Sequence, residues 1–353
     1  MKIQKVEKSR LTPAVFESKV FGKTFADHML ICEYKDGKWG EPEIREFGNL
    51  SFSPATHAFH YGQACFEGMK AFKGENGDVY LFRPDKNFER INKSAERLGM
   101  VSIPEEVFMD GLKALIDVDR NWVPETYGTS LYVRPVLFST EDVISARGSE
   151  EFMFAIICSF APNYYNKPLR VKVADHYSRA ANGGVGFAKA AGNYGASFYP
   201  TTLAKEEGFD QIIWTDAATH QYFEEAGTMN IFVRIGDTLL TAPTSERILN
   251  GVTRDSLITL AKENGWNVEV RPVSVKEVYE AHKNGELKEV FGCGTAVVLN
   301  NFEAIGYPEE VLELPKLEEI DAWGPILKKQ MNEIQYGKAE DPFGWRVLVE
   351  KKY

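Results

Sequence analysis

The stretch "GGVGFAKAAGNYGAS", residues 183–197, holds one lysine, Lys189, among glycines, alanines, a phenylalanine and a tyrosine. A loop lysine that lives in water keeps polar neighbours, and this one has almost none. A free lysine titrates near ~10.4, so only about one in 2,500 is neutral at pH 7. Bringing such a group to roughly 7 takes about 4.6 kcal/mol of preference for the uncharged amine, and apolar surroundings act in that direction by desolvation. An amine so placed can form a Schiff base with a carbonyl compound. Taken alone, the stretch is more simply a solvated lysine in a flexible glycine-rich loop, so its meaning depends on the rest of the chain.

The chain has 353 residues, too many for one small domain and comfortable for two. With 44% hydrophobic and 26% charged residues it can bury a large core. A net charge of -10 argues against a nucleic-acid partner, because phosphate binding needs a basic surface. Cys32, Cys65, Cys158 and Cys293 form no CxxC pair, and a chain of this size needs no disulfides, so a reduced compartment is the simpler reading. The longest apolar run, "FMFAIICSFA" at 152–161, is too short to span a bilayer and reads as a buried strand. "MKIQKVEKSR" lacks the apolar segment of a secretory signal. A cytoplasmic protein with no membrane partner is expected. His28, His57, His60, His176, His220 and His282 show no metal-ligand spacing, so no metal is expected.

Along the chain, "HMLICEYKDGKW" predicts a strand running into an Asp-Gly turn. "GDVYLFRPDKNFERINKSAERLGM" predicts a strand and then a helix that starts at Pro84 and Asp85 and ends at Gly99, with Phe88, Ile91, Ala95 and Leu98 on one face. "SLYVRPVLFS" and "EFMFAIICSF" predict strands of the same half. "APNYYNKP" at 161–168 marks a boundary. It gives a smaller N-terminal domain over 1–162, a linker over 163–168, and a larger domain over 169–353 carrying the lysine. In the second half strands are expected at "LRVKVAD", "QIIWTD", "MNIFVRI" and "KEVFGCGTAVVL". Helices are expected near 197–207, 252–264 and 317–335. The class is α+β, or mixed α/β.

Four further features could carry chemistry. In "ILNGVTRDSL", Asn250 and Gly251 precede a helix whose first amides, at Val252 and Thr253, would face an anion. In "FGCGTAV", glycines beside Thr295 permit close approach of a ligand. In "YFEEAGTMNIFVRI", Glu224 and Glu225 stand directly before a strand, where a carboxylate could pair with a protonated ring nitrogen. Arg90, on the first predicted helix, could hold a phosphate. Each has a plain structural reading: a capped surface helix, a turn, a solvated acidic turn, a surface arginine. Together they are the parts of a pyridoxal phosphate site.

The chain closely resembles the branched-chain amino acid aminotransferases, which are class IV, fold-type IV pyridoxal phosphate enzymes. The resemblance is carried in order by "HYGQACFEGMKAF", "FRPDKNFERINKSAERL", "SLYVRPVL", "GVGFAKAAGNYG", "EEAGTMNIFV", "LNGVTRDSL" and "FGCGTAVV". It implies a two-domain, D-amino acid aminotransferase-like fold and pyridoxal 5'-phosphate as cofactor. By the same resemblance Lys189 is the Schiff-base lysine and Tyr194 bonds the cofactor's phenolic oxygen. Glu225 faces the pyridine nitrogen, and Arg90, Val252, Thr253 and Thr295 cradle the phosphate. Phe25, Tyr61, Phe66, Tyr132 and Arg134 match the substrate pocket, while Thr228 and Ala296 meet the substrate carboxylate. Mammalian members carry a redox CxxC directly after "GTA"; here Val297, Val298, Leu299 and Asn300 follow, so that thiol regulation is not expected.

The activity implied is reversible amino transfer between L-leucine, L-isoleucine or L-valine and 2-oxoglutarate, by a homodimer or higher homo-oligomer. The alternatives are a D-amino acid aminotransferase or an aminodeoxychorismate lyase of the same fold, or a non-catalytic pyridoxal phosphate carrier. The "FEGMKAF" and "YVRP" motifs favour the branched-chain group over the first two, and an aromatic pocket with an arginine disfavours the carrier.

Overall fold

The computed structural model describes residues 1–162 and 167–353. Asp36 and Gly37 both take positive φ, 53° and 75°, the twist that suits a two-residue hairpin turn. There Phe25–Lys35 (β1) reverses into Lys38–Trp39. Ala64–Phe66 (β2), Met69–Lys73 (β3), Val79–Phe82 (β4), helix Pro84–Arg97 (α1), and the long strands Ser130–Ser139 (β5) and Phe152–Ala161 (β6) follow. In the sheet, β6 lies between β1 and β5, and β3 and β4 continue beyond β5.

The central place of β6 explains its unbroken apolar sequence. Phe152, Phe154, Ile156, Cys158 and Phe160 join one core, while Met153 and Ala155, on the other face, join Met29 and Ile31 in a second. Helix α1 has Pro84 in its first turn, with Gly99 at φ 64° just past its end. It buries Ile91 and Ala95 completely, with Phe88 and Leu98 packed alongside.

A break in the ladder shapes this sheet. Phe66 of β2 pairs with Val136 of β5, and Met69 of β3 pairs with Val133. Glu67 and Gly68 therefore leave the ladder opposite Arg134 and Pro135. Proline has no N–H for a ladder bond, and the Pro135 carbonyl accepts from Glu67 N at 2.8 Å.

The second part of the chain contains Leu169–Val173 (β7), helix Ala191–Glu206 (α2), Gln211–Thr215 (β8), Tyr222–Ala226 (β9), Met229–Ile235 (β10), helix Val252–Glu263 (α3), Leu287–Gly294 (β11), Val298–Gly306 (β12) and helix Trp323–Gln335 (α4). The pairings β10–β11, β11–β12, β12–β7, β7–β8, β8–β9 and β9–β10 return to their start, so these strands close into a barrel. Ile213, Ile231, Val233, Val290, Phe302 and Ile305 fill its core. No helix among the described residues is long and apolar enough to cross a membrane.

The described residues group into two compact units. The first runs through β6 and includes Ala188–Gly192 and Glu333–Tyr353; the second holds β7 to Phe187 and Asn193–Asn332. The lysine segment and the chain end thus group with the first unit, although on sequence both fall in 169–353. Local bonds account for this: Cys65 bridges to Ala190, Phe66 N donates to Lys189 O, and Arg346–Val349 pairs with β4. Of the expected linker over 163–168, residues 163–166 lie outside the described residues.

Three boundaries differ from the sequence reading. Helix α2 starts at Ala191, not near 197, and so takes in Tyr194; Gly192, Gly195 and Pro200 hide it from propensity. Helix α4 starts at Trp323 rather than near 317. Glu224 and Glu225 do precede the strand Met229–Ile235, but they already lie inside strand β9, and both are buried.

Candidate functional site

In the first unit the chemistry gathers around the broken ladder. Lys189 N donates to Ser94 Oγ at 2.9 Å, and Lys189 O accepts from Phe66 N at 3.1 Å. The lysine backbone is thereby held between α1 and β2. Its Nζ stands 4.9 Å from the centre of the Phe66 ring. Arg134 Cζ lies 4.5 Å from the same ring centre and 5.3 Å from that of Tyr132, and Arg134 Nη2 donates to Tyr132 Oη at 3.0 Å. Arg134 Nε is buried with no hydrogen-bond partner among the described residues. A buried donor left unsatisfied costs about 1–3 kcal/mol, and an incoming carboxylate would satisfy it.

Arg90 is not a surface residue. It is buried on α1 and pairs with the fully buried Glu67. Burial works to push the Glu67 carboxyl up; the Arg90 charge and hydrogen bonds, then Lys189 and the Asn87 amide, outweigh it and hold that carboxyl below the usual range. Among the expected pocket residues, Phe66, Tyr132 and Arg134 come together. Phe25 instead stacks on Phe47, ring centres 4.6 Å apart, while Phe21 lies edge-on to Tyr132 at 5.0 Å. Tyr61 ends the short helix His57–Tyr61, largely exposed, and its hydroxyl donates to Ile144 O at 2.7 Å.

In the second unit one end of the barrel collects the other candidates. Glu225 Oε1 accepts from Leu249 N at 2.8 Å, and Arg179 Nε stands 3.1 Å from Oε2, an ion pair without hydrogen-bond alignment. Its neighbour Glu224 points to the opposite face of β9, as strand alternation requires, and pairs with Arg247. Burial nevertheless keeps the Glu224 carboxyl above its ordinary value. The loop at Leu249 leads into α3, whose cap is Gly251. A Cβ at Gly251 would fall 2.0 Å from Asn230 Oδ1, so only glycine lets this loop approach the strand. Gly251 has no side chain to cap the amides of the first turn, where Val252 and the buried Thr253 sit. Thr228 occupies the β9–β10 hairpin turn, and Thr295 and Ala296 the β11–β12 turn. These turns lie at the same barrel end: a Cβ on Gly294 would be 3.8 Å from Thr228 O. Tyr194 lies on α2, its carbonyl accepting from Ser197 Oγ.

The donors of each unit suit part of pyridoxal 5'-phosphate: in the first, a buried arginine suits a phosphate ester and a lysine beside an aromatic ring an aldehyde; in the second, a helix start without a side-chain cap suits a phosphate ester and a buried carboxylate a pyridinium. Sequence reading missed Glu67, Ser94, Asn87, Arg179, Arg247 and Asn230. Glu67 lay inside the quoted "FEGMKAF", but no local signal linked it to Arg90. Among the described residues no group of three or more His, Cys, Asp and Glu is placed to hold a metal ion. The four cysteines are buried and unpaired, and burial pushes the Cys65 thiol up to about 12.

Comparison with known proteins agrees with this picture. The family described as amino-transferase class IV matches residues 64–301. A probable branched-chain-amino-acid aminotransferase of Staphylococcus epidermidis is 45% identical over 94% of this chain and 93% of its own. Branched-chain-amino-acid transaminase 1 of Bacillus subtilis is 41% identical over 93% of this chain and 94% of its own. A solved branched-chain aminotransferase of the archaeon Thermoproteus uzoniensis, crystallised with norvaline, shares the fold with a TM-score of 0.76 at 23% identity, over 92% of this chain and 100% of that one. On the length of the family match and the identity to these relatives, the chain belongs to the class IV aminotransferases.

Proposed function

We infer that this chain is a branched-chain amino acid aminotransferase. It moves an amino group reversibly between L-leucine, L-isoleucine or L-valine and 2-oxoglutarate, with pyridoxal 5'-phosphate as cofactor. The observation that carries the reading is the Phe66 ring, which has the Lys189 amine on it at 4.9 Å and the Arg134 guanidinium at 4.5 Å. An amine for the chemistry and a cation for a carboxylate share one apolar surface.

When bound, the cofactor supplies an aldehyde for amine exchange and a ring that accepts electrons. The residues divide the remaining work. Lys189 would hold the cofactor through Nζ, and its amine would serve as the base for the proton on the substrate Cα. Glu225, paired with Arg179, would face the pyridine nitrogen and favour its protonated form. Arg90, Val252, Thr253 and Thr295 would hold the phosphate, and Tyr194 would bond the phenolic oxygen. Phe66 and Tyr132 form an apolar wall for branched side chains, and Arg134 receives the second carboxylate of glutamate; Phe25, stacked on Phe47, and the exposed Tyr61 are not part of that cluster. Thr228 and Ala296 meet the substrate carboxylate. We also propose that the protein works in the cytoplasm as a homodimer or higher homo-oligomer.

The test is the visible absorption of the purified protein with cofactor, before and after each of three amines. L-Leucine should bleach the band, while D-alanine and aminodeoxychorismate should leave it. A band unmoved by leucine would sink the assignment. Lys189→Ala should keep non-covalent cofactor yet lose turnover; wild-type turnover in that variant would refute the role of the lysine.

A further inference from the structure

Glu67 sits where β2 and β3 part, and no part of it reaches solvent. Its Oε1 accepts from Arg90 Nε at 2.7 Å. Its Oε2 accepts from Arg90 Nη2 at 2.8 Å, from Asn87 Nδ2 at 2.7 Å and from Gly68 N at 3.2 Å. The carboxylate is thus tied to the sheet and to α1 at once. Asn87, Arg90 and Ser94 recur at the spacing of one helix face. Ser94, at the end of that row, donates its hydroxyl to Arg90 O at 2.9 Å and accepts from Lys189 N. One helix face therefore sets the guanidinium and the lysine backbone in a fixed relation.

A bidentate carboxylate takes two of the five N–H groups of a guanidinium and fixes its plane. A flexible arginine would have to be ordered each time an anion bound, and an oriented one would not. We propose that Glu67 is a positioning residue for the cofactor's phosphate: it locks the Arg90 fork in the orientation that receives a phosphate ester and touches neither cofactor nor substrate. This rests on the assignment of Arg90 to the phosphate and Lys189 to the aldehyde made above. The two halves of that assignment answer to different ligands. The phosphate ester needs the oriented fork; the aldehyde needs only the amine.

Glu67→Asp separates geometry from charge. It keeps the negative charge beside both cations but is one methylene shorter, so it cannot hold the fork at both nitrogens. Apoprotein of wild type and variant is titrated separately with pyridoxal 5'-phosphate and with pyridoxal, which has no phosphate. Affinity for the phosphorylated form should fall about tenfold, the worth of one oriented charge-assisted hydrogen bond, and affinity for pyridoxal should not change. Equal loss for both ligands, or no loss for the phosphorylated one, overturns the proposal. Asn87→Ala, which removes only the amide on Oε2, should give the same selective loss at about threefold. If Glu67→Asp does not fold, Asn87→Ala decides by the same criterion. Borohydride reduction of the wild-type holoprotein and peptide mapping keep the two failures apart. A label away from Lys189 sinks the underlying assignment, whereas a label on Lys189 with unselective loss sinks only the role of Glu67.

Discussion

Arg179 Nε and Glu225 Oε2 stand 3.1 Å apart with both side chains buried, so a carboxylate assigned to a pyridine nitrogen already has a cation at its other edge. Charges enter a protein interior at a penalty of several kcal/mol each, recovered only when they are paired. Arg179 also donates from Nη2 to the carbonyls of Gly186 and Arg247, which tie it to the loop before the lysine segment. Removing it takes the paired cation from Glu225, whose carboxylate then keeps neutral amide donors such as Leu249 N and Asn230 Nδ2 against its charge. Arg179→Ala should therefore lose about 3–5 kcal/mol of stability, read by chemical denaturation. The double variant Arg179→Ala with Glu225→Gln should be more stable than Arg179→Ala alone, because the charge that Arg179 balanced is gone. A double variant less stable than the single one would show that the pair is not coupled.

The Arg134 side chain is held by Tyr132 at one nitrogen and has an unsatisfied buried Nε. That geometry suits the second carboxylate of a dicarboxylic substrate. Arg134→Ala should lower kcat/KM for glutamate and 2-oxoglutarate by about 10–100-fold, the worth of a hydrogen bond to a charged group. L-Leucine turnover, measured with a monocarboxylic 2-oxo acid as acceptor, should fall far less. Equal loss for both classes would assign Arg134 a purely structural role.

What could be read from the sequence was what is local in the chain. The Asp36-Gly37 turn, the Pro84 start of α1 and the apolar β6 each carry their signal within a few residues, and each folds as read. The lysine motif likewise carries its signal within a few residues. Tyr194 was misplaced because Gly192 and Gly195 look like loop, and packing overrides that preference. Glu224 and Glu225 read as a solvated turn because carboxylates rarely enter buried strands. What admits them is Arg179 and Arg247, which arrive from other loops and leave no trace in local periodicity. The pairing of Glu67 with Arg90 was hidden in the same way. Nothing in "FEGMKAF" announces that its glutamate closes on an arginine in the next helix.

Buried and hydrogen-bonded carboxylates also set the acid response. Burial works to raise Asp27, Asp117, Asp216 and Glu67, but their hydrogen bonds and neighbouring cations win, and all four lie below their ordinary values. A carboxyl depressed in the folded state contributes stability above its unfolded pKa of about 4, and that contribution is lost as pH falls through the folded value. Glu224 works the other way: raised by burial, it binds its proton more readily folded than unfolded. Acidification therefore first relieves Glu224 and then removes the support of the other four. Denaturant midpoints should hold or rise slightly down to about pH 5 and fall steeply below about pH 4. A midpoint that does not move between pH 6 and pH 3 would contradict this.

Gly68 gives the sharpest steric test of the first-unit cluster. An added Cβ would lie 2.1 Å from Tyr132 Oη and 3.0 Å from its Cζ, far inside contact distance. The ring cannot yield freely, since Tyr132 is buried and Phe21 packs edge-on against it. Its hydroxyl is also the acceptor that holds Arg134 Nη2. Gly68→Ala should thus move Tyr132 and release Arg134 together. Overpacking of this kind costs about 1–3 kcal/mol of stability. The kinetic effect should be broader than that of Arg134→Ala, because the shifted ring also forms the wall for branched side chains. The kcat/KM for L-leucine should drop about tenfold or more, alongside that for glutamate. Pyridoxal 5'-phosphate affinity should change little, because the Glu67 carboxylate is held by Arg90 and Asn87 of α1 and an alanine keeps the backbone N–H that Gly68 donates to it. A variant with wild-type leucine kinetics would show that the ring is not part of the substrate wall.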